Sequence, residues 1–174
     1  MENEHTVKLI SLDTIPVQEV EWLVYPFIPC GKITIIQGDP GEGKTTFILQ
    51  LIARLTTGRP AWDGMPPMTP GNVIYQTAED GLSDTIKPRL VAAGAACDKV
   101  LVIDDSDRAL TLEDDRLEQA IVQTHARLVV LDPIQGYIGA GVDMHRANEI
   151  RPLMHRVGVL AEKHHCAIVL IGHM

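Results

Sequence analysis

The stretch of sequence that decides the fold is KITIIQGDPGEGKT, residues 32–45. Its first six residues form a β-rich apolar run and predict a strand over 32–37. The remaining eight match the pattern G-x-x-x-x-G-K-[ST] at every required position. The helical pattern that follows stops at Gly58 and places five apolar residues on one face: Phe47, Ile48, Leu51, Ile52 and Leu55. A strand, a glycine-rich turn and a helix in direct succession are the context in which this pattern binds phosphate.

The glycine-rich turn predicts a site for a nucleoside triphosphate with Mg²⁺. Glycines let successive backbone N–H groups converge on phosphate oxygens, and the N-terminus of the following helix adds positive charge. Lys44 is predicted to reach the β- and γ-phosphates, and the Thr45 hydroxyl to ligate Mg²⁺. A chance glycine turn is the alternative, but it does not account for the flanking strand and helix. The predicted nucleotide-contacting residues are Gly38, Asp39, Pro40, Gly41, Glu42, Gly43, Lys44, Thr45 and Thr46.

Outward from this turn, short apolar runs alternate with segments of helical period, which is typical of a parallel sheet with crossover helices. The later predicted strands span residues 72–77, 99–104, 127–131 and 167–171. The later predicted helices span residues 83–93, a stretch from a Thr111 cap to His125, and about 144–163. A glycine-rich mobile loop is expected over 134–143. We therefore predict an α/β fold, with a core over 31–174 and an extended lead-in over 1–30 packed on it.

The composition limits the classes of function. With 174 residues, 45% hydrophobic and 22% charged, the chain fits one globular domain. Its apolar runs are too short for a membrane span, and no signal peptide is visible, so we expect a soluble protein. The net charge of -8 excludes a broad positive surface, so any contact with nucleic acid must be local. Three separated cysteines, Cys30, Cys97 and Cys166, argue against a disulfide framework and favour a cytoplasmic setting.

Acidic residues that follow predicted strands are candidates for metal binding and for water activation. Asp132 follows the apolar run 128–131 and is the predicted residue that holds Mg²⁺ through its water shell. Asp104 is the competing candidate, but the acidic run that it opens is typical of a solvated loop. Glu79, just past the strand at 72–77, is the predicted catalytic base, with a capping or surface role as the alternative.

Three further features have both a functional and a structural interpretation. His173 follows the apolar run 168–171, so its imidazole could reach a γ-phosphate, although a lone histidine is more often structural. Trp22 could pack near the nucleotide, but a place in the core is favoured. The run His164-His165-Cys166 resembles a metal cluster, yet no second ligand pair follows at zinc spacing. A polar turn at the end of a helix is therefore favoured for this run.

Several short motifs, taken together, resemble one family. They are Trp22-Leu23 with Ile28-Pro29 and Gly31, Thr77-Ala78-Glu79-Asp80-Gly81, Lys87-Pro88-Arg89-Leu90, Leu131-Asp132-Pro133 and Gly172-His173. With the phosphate-binding turn, they are similar to the RecA-like AAA ATPases of plasmid and phage replication, of the hexameric replicative helicase type. The similarity runs from about residue 20 to the end of the chain. It implies a RecA-like P-loop fold, in which a mainly parallel, twisted sheet carries helices on both faces.

The resemblance also implies roles for individual residues. Glu79 would activate water, His173 would sense the γ-phosphate and couple it to the nucleic-acid loops, and Arg89 would lie near the nucleotide or a subunit interface. The implied activity is Mg-ATP hydrolysis by a homo-oligomeric ring that drives along, or loads onto, single-stranded DNA. The glycine-rich loop after Asp132 would face that strand.

Other functions fit the sequence less well. The guanine-reading string NKxD and the transport-ATPase string LSGGQ do not occur. A small-molecule kinase is disfavoured, because its candidate arginine-rich lid, residues 144–156, lies where the long helix is predicted. The main alternative is an ATP-switched regulatory or assembly protein that does not translocate on DNA. Because the resemblance expects further strands beyond His173, we expect a truncated core that binds Mg-ATP and hydrolyses it weakly on its own.

Overall fold

A computed structural model of the protein describes residues 7–143 and 146–173. Its strands, in chain order, are β1 (Trp22–Val24), β2 (Ile28–Pro29), β3 (Ile33–Gly38), β4 (Val73–Thr77), β5 (Val100–Leu101), β6 (Leu128–Asp132) and β7 (Ala167–His173). Its α-helices are α1 (Lys44–Thr57), α2 (Lys87–Ala92), α3 (Asp115–Thr124) and α4 (Ala147–His164). The first two strands form an antiparallel hairpin, and the other five form a parallel sheet in the order β3-β7-β6-β4-β5. The predicted α/β class is therefore confirmed.

Helices cover both faces of the parallel sheet. Alternate residues of the central strands belong to two separate apolar clusters: Val130 and Val169 pack with residues of α1 and α2, whereas Val129 and Ile168 pack with residues of α3 and α4. Every residue of β6 is buried, because a parallel strand between two helical layers is shielded from water on both sides. This shielding explains the uninterrupted apolar runs in the sequence.

The register of the strands brings their carboxyl ends to one edge. Gly38 of β3 lies opposite His173 of β7, and Thr77 of β4 lies opposite Asp132 of β6. Ligands of open parallel sheets bind outside this edge. Side chains that follow the strands in sequence are thereby gathered at the end of the sheet where α1 begins.

The third predicted strand, over 99–104, is too long. The observed strand β5 spans only Val100–Leu101 at the edge of the sheet. Beyond it, the buried side chain of Gln76 takes the place of a strand partner: its Oε1 accepts a hydrogen bond from the Ile103 N–H at 2.6 Å. Its Nε2 donates to the Ile103 carbonyl at 3.3 Å. A side chain of β4 thus satisfies the backbone where the ladder ends.

Two predictions about helices need correction. The helix predicted over 83–93 is a π-helical turn at Leu82–Ile86 followed by α2, with Pro88 in the first turn of α2, where no N–H is needed. In α1, the expected buried face is right for Ile48, Ile52 and their neighbours, but Phe47 is half exposed. Phe47 is displaced from the buried stripe because the core contacts of α1 centre on residues 48, 51, 52 and 55.

The predicted cap of the third helix is also wrong. Helix α3 begins after Asp114, whose carboxylate accepts a hydrogen bond from the Arg116 N–H at 2.9 Å, and not at Thr111. The expected mobile loop after Asp132 starts as a packed 3-10 turn, Ile134–Tyr137, with both end residues buried. The following helix, α4, starts at Ala147; its predicted start at Met144 lies outside the described residues.

The N-terminal segment has two parts. Residues 7–20 are exposed, whereas the hairpin of β1 and β2 packs on the core through Leu23, Val24 and Ile28, all buried. Within the described part of the chain, no helix is long and apolar enough to cross a membrane.

Replacing Asp114 with alanine is expected to lower the free energy of unfolding by about 1–2 kcal/mol, since α3 loses its capping carboxylate. The Asp114 side chain is 8% exposed and also pairs with Arg116 at 2.7 Å. These hydrogen bonds lower the pKa of Asp114 from 3.8 to about 2. A lowered folded-state pKa stabilises the fold above 3.8, and this stabilisation is lost as the pH falls towards 2.

Urea denaturation at neutral pH and at acid pH measures both effects. Asp115→Ala is the matched control, because its exposed ion pair with Arg156 is expected to contribute only about 0–1 kcal/mol. Equal unfolding free energies for the two variants would contradict the capping role.

Candidate nucleotide-binding site

The phosphate-binding turn joins β3 to α1 with two glycines in the left-handed region of the backbone. Gly41 and Gly43 both have φ of 86°. Residues with a Cβ atom rarely adopt this backbone conformation, so glycine is favoured at both positions. Gly43 caps α1, and its carbonyl accepts a hydrogen bond from the Phe47 N–H at 2.8 Å. The N-terminus of a 14-residue helix is therefore aimed at the space that the turn encloses.

Lys44 and Glu42 both fold back on the turn. The Lys44 ammonium donates to the carbonyls of Gly38 at 2.8 Å and Asp39 at 2.7 Å, which holds it at the rim of the turn. The Glu42 carboxylate accepts from the Asp39 N–H at 2.9 Å and occupies the space that a side chain at Gly38 would need. Of these two predicted contacts, the Lys44 ammonium is the one placed to meet a phosphate, whereas the Glu42 side chain braces the loop.

The metal-binding candidates Thr45 and Asp132 are brought into direct contact. Thr45 Oγ1 donates to Asp132 Oδ2 at 2.8 Å, although the two residues are far apart in sequence. Asp132 is 4% exposed, and its carbonyl accepts from the Ala78 N–H at 3.1 Å, which ties the ends of β4 and β6 together. A hydroxyl and a carboxylate are the hard oxygen donors that Mg²⁺ prefers, so this pair fits the cation.

Tyr75 is a part of the site that the sequence analysis missed. Its hydroxyl donates to the same Asp132 Oδ2 at 3.0 Å. Burial and the neighbouring Asp132 carboxylate raise the pKa of the Tyr75 hydroxyl, so it stays protonated and acts as a donor at neutral pH. Because Tyr75 lies in the middle of β4, no motif marks it; its role depends on β4 and β6 being neighbours.

Asp104, the competing metal candidate, serves a local turn. Its exposed carboxylate accepts from the Ser106 N–H at 3.1 Å and from the Ser106 hydroxyl at 2.7 Å. These hydrogen bonds lower the pKa of Asp104. Oδ1 of Asp104 is therefore engaged within its own loop, whereas Oδ2 of Asp132 accepts from the P-loop threonine.

Glu79 and His173 meet at the same edge of the sheet. His173 Nε2 lies 3.5 Å from Glu79 Oε2; the Glu79 side chain is 63% exposed and that of His173 is 28% exposed. His173 Nδ1 is buried without a hydrogen-bond partner among the described residues. The Glu79 carboxylate therefore reaches solvent, whereas the His173 imidazole is mostly buried.

Gln135 is a second residue that the sequence analysis did not find. Its Nε2 donates to the His173 carbonyl at 3.0 Å, which connects the turn after β6 to the end of β7. The Gln135 side chain therefore joins the carboxyl end of β6 to the carboxyl end of β7.

A cavity of about 280 Å³ lies between the P-loop and His173. Its lining comprises Gly41, Gly43, Lys44, Thr45, Thr46, Arg89 and His173. Arg89 is thus placed beside the phosphate-binding turn. A larger, mostly apolar cavity of about 550 Å³ lies between Leu82, Leu90 and the edge strand β5, but the P-loop does not contribute to it. The smaller cavity is therefore the one that the P-loop residues line.

Trp22 and the His164-His165-Cys166 run lie away from this cavity. Trp22 stacks edge-to-face on Tyr25 with ring centroids 5.4 Å apart. His164 ends α4 and lies 2.8 Å from Glu118, and His165 is the left-handed residue that follows the helix. The backbone of the His164-His165-Cys166 run thus has the conformation of a helix end, as the favoured interpretation expects.

The chain is similar to a known protein family and to a DNA repair protein. The family described as the AAA domain matches residues 2–174. A curated relative, the DNA repair protein RadA of Halalkalibacterium halodurans, is 31% identical over 105 residues. The aligned part covers 60% of this chain and 19% of RadA, so the chain spans about a fifth of the length of that relative.

Proposed function

Since the chain belongs to the AAA domain family and has the RecA-like P-loop ATPase fold, we propose that it binds and hydrolyses Mg-ATP in the 280 Å³ cavity. The observation that carries this proposal is the 2.8 Å contact between Thr45 Oγ1 and Asp132 Oδ2 beside the Lys44 ammonium. Two groups of a metal shell and the phosphate-binding lysine are gathered where the helix N-terminus points.

The residues that line the cavity, and those that contact them, have distinct parts in this proposal. The P-loop N–H groups and Lys44 bind the phosphates, and Thr45 and Asp132 would hold Mg²⁺, which would supply positive charge against the charge of the phosphates. Tyr75 positions the Asp132 carboxylate through its hydroxyl. Glu79 orients and deprotonates water, because its exposed carboxylate lies 3.5 Å from His173, which lines the cavity. Phosphoryl transfer needs little covalent work from the protein, so positioning and charge supply the rate.

His173 is proposed to report the state of the γ-phosphate. It lines the cavity, contacts Glu79 at 3.5 Å and is joined through its carbonyl to Gln135. A shift of the imidazole on hydrolysis would pull on the turn that starts the glycine-rich loop after β6. This gives a physical route from the nucleotide to that loop.

We further propose that the protein acts on single-stranded DNA as a homo-oligomeric ring, in replication or recombination, as a helicase or helicase loader. The family and the DNA repair relative support this function. In the described part of the loop after β6 little positive charge is free, because Arg146 pairs with Asp143 at 3.3 Å and with Glu149 at 3.4 Å. DNA contact in a ring would therefore rely on several subunits and on Arg151, which is exposed.

ATP turnover with and without single-stranded DNA tests the DNA function. We expect stimulation by a single-stranded oligonucleotide and a smaller effect of the same sequence as a duplex. Lys44→Ala supplies the blank for contaminating ATPases. Slow hydrolysis that is indifferent to DNA would favour an ATP-switched regulatory or assembly protein instead.

Asp132→Asn is expected to weaken ATP binding in the presence of Mg²⁺ by about tenfold, in the range expected for losing one charge-assisted interaction. Binding without Mg²⁺ should change little. Titration of a fluorescent ATP analogue at rising Mg²⁺ concentrations measures both. Tyr75→Phe removes only the hydroxyl that positions the carboxylate, so the Mg²⁺ concentration for half-saturation should rise by a smaller factor.

Asp104→Asn is the matched control for that experiment, because its carboxylate also follows an apolar run but is bound to Ser106. It should leave the Mg²⁺ dependence unchanged. An Mg²⁺ response that survives in Asp132→Asn and disappears in Asp104→Asn would reverse the assignment.

A further inference from the structure

At the amino edge of the sheet, opposite the nucleotide cavity, three side chains of different chemistry come together. They are the carboxylate of Glu21, the thiol of Cys30 and the imidazole of His165, and one ligand atom from each lies within 4.8 Å of the other two. We propose that they form a binding site for Zn²⁺ or a similar borderline divalent cation, with water completing the coordination. Nothing in the nucleotide chemistry above uses these residues.

The hairpin places the first two ligands side by side. Trp22 of β1 lies opposite Pro29 of β2, and the Cys30 N–H donates to the Glu21 carbonyl at 2.9 Å. Residues that flank such a pair on neighbouring strands are held close by the ladder itself. The backbone hydrogen bond between them therefore holds Glu21 and Cys30 side by side.

The third ligand is delivered by the turn between α4 and β7. His165 follows α4 in the left-handed conformation, with φ of 51°, and the Cys166 N–H donates to the Ala161 carbonyl at 3.0 Å. Gly31, with φ of 71°, lies against this turn: a Cβ there would be in ordinary contact with His165 Nδ1 at 3.5 Å, so it is the positive φ that favours glycine. His165 Nε2 reaches Glu21 Oε2 at 2.7 Å.

The donor set suits zinc. Thiolate sulfur, imidazole nitrogen and carboxylate oxygen bind Zn²⁺ at about 2.0–2.3 Å, and three protein ligands with one open position are a common arrangement. Ligand atoms within 4.8 Å of one another need to close only slightly around such an ion. The Glu21 and His165 side chains are 61% and 59% exposed, so they have room to adjust, whereas Cys30 is buried and fixed.

Arg127 is the main competitor for this site. Its guanidinium lies near the Cys30 thiol and lowers the pKa of that thiol, against the stronger raising effects of burial and of Glu21. Arg127 is, however, also anchored to the Thr69 carbonyl at 2.5 Å and packs against Gly71. The cation would therefore enter from the exposed side, where Glu21 and His165 already contact each other.

A bound ion would fasten the hairpin to the α4–β7 turn. Because the nucleotide binds at the other edge of the sheet, metal binding should be independent of ATP. Lys44→Ala should therefore keep the metal site intact, which separates this proposal from the proposed function.

Metal titration of the chelator-treated protein tests the site. In competition with a chromophoric chelator, we expect one equivalent of Zn²⁺ to bind, and Co²⁺ to give a thiolate charge-transfer band in the near ultraviolet. Cys30→Ser should abolish that band and weaken Zn²⁺ binding at least tenfold. His165→Asn should weaken it similarly, and it keeps the fold testable because the position is exposed and asparagine tolerates left-handed backbone.

Two controls use the same residue types outside the cluster. Cys97→Ser replaces a partly exposed thiol, and His164→Asn replaces the neighbouring histidine, which contacts Glu118. Both should bind Zn²⁺ as the unmodified chain does. The proposal is overturned if no stoichiometric Zn²⁺ binds, if the Co²⁺ spectrum of Cys30→Ser is unchanged, or if the controls lose binding equally.

Discussion

Lys44→Ala is expected to weaken ATP binding by about 100-fold, since a hydrogen bond between charged groups contributes about 1.5–3 kcal/mol and the variant also leaves loop carbonyls without a donor. The ammonium is held at the rim of the turn by the Gly38 and Asp39 carbonyls, at 2.8 and 2.7 Å. It is therefore positioned before the nucleotide arrives. Equilibrium titration with a fluorescent ATP analogue measures the loss.

Lys163→Ala is the matched control for this variant. Lys163 is 63% exposed and pairs with Glu118 on the far side of the molecule, so its removal should leave ATP affinity unchanged. Thermal unfolding without nucleotide checks that the loss in Lys44→Ala comes from the site and not from the fold. Unaltered affinity in Lys44→Ala would mean that the turn does not bind phosphate.

Glu79→Gln is expected to slow ATP hydrolysis by about 100-fold or more, the range that general base catalysis supplies. ATP affinity should change little, because the Glu79 carboxylate is 63% exposed and belongs neither to the P-loop nor to the lining of the cavity. Single-turnover release of radiolabelled phosphate separates the chemical step from binding. This assay remains usable if turnover by the chain is slow.

Asp80→Asn is the matched control, because Asp80 is the adjacent carboxylate after the same strand and its N–H is bound to Thr77 Oγ1 at 3.0 Å. Its rate should stay close to that of the unmodified chain. A native rate in Glu79→Gln would assign Glu79 to a surface role, and a slow rate confined to Asp80→Asn would move the base to Asp80.

Much of the fold follows from patterns that are local in the sequence. The strands β3, β4, β6 and β7 lie within two residues of their predicted bounds, because buried apolar runs flanked by glycine, proline or charge mark them. Two of the failures come from side-chain contacts: Gln76 bonds the Ile103 backbone where β5 has ended, and Asp114 has the capping role expected of Thr111. The spacing of apolar residues along the sequence does not indicate either of these side-chain hydrogen bonds.

The candidate site divides in the same way. The P-loop residues could be identified from the sequence because their function needs a fixed spacing along one turn. Tyr75 and Gln135 could not, because each acts on a residue of another strand or strand end, Asp132 and His173 respectively. The zinc proposal has the same origin: the sequence analysis found no second ligand pair near His165, and the fold supplies Glu21 and Cys30 from the hairpin.

By itself, the sequence determined the phosphate-binding turn, the α/β class and the identity of the chemical groups at the strand ends, since each depends on neighbours within a few residues. Only the tertiary structure decided the strand order β3-β7-β6-β4-β5. That order places Asp132 against Thr45 and Tyr75, and His173 against Glu79. The physical reason is that strand pairing depends on how helices pack on both faces of the whole sheet, an interaction between segments that are distant along the chain.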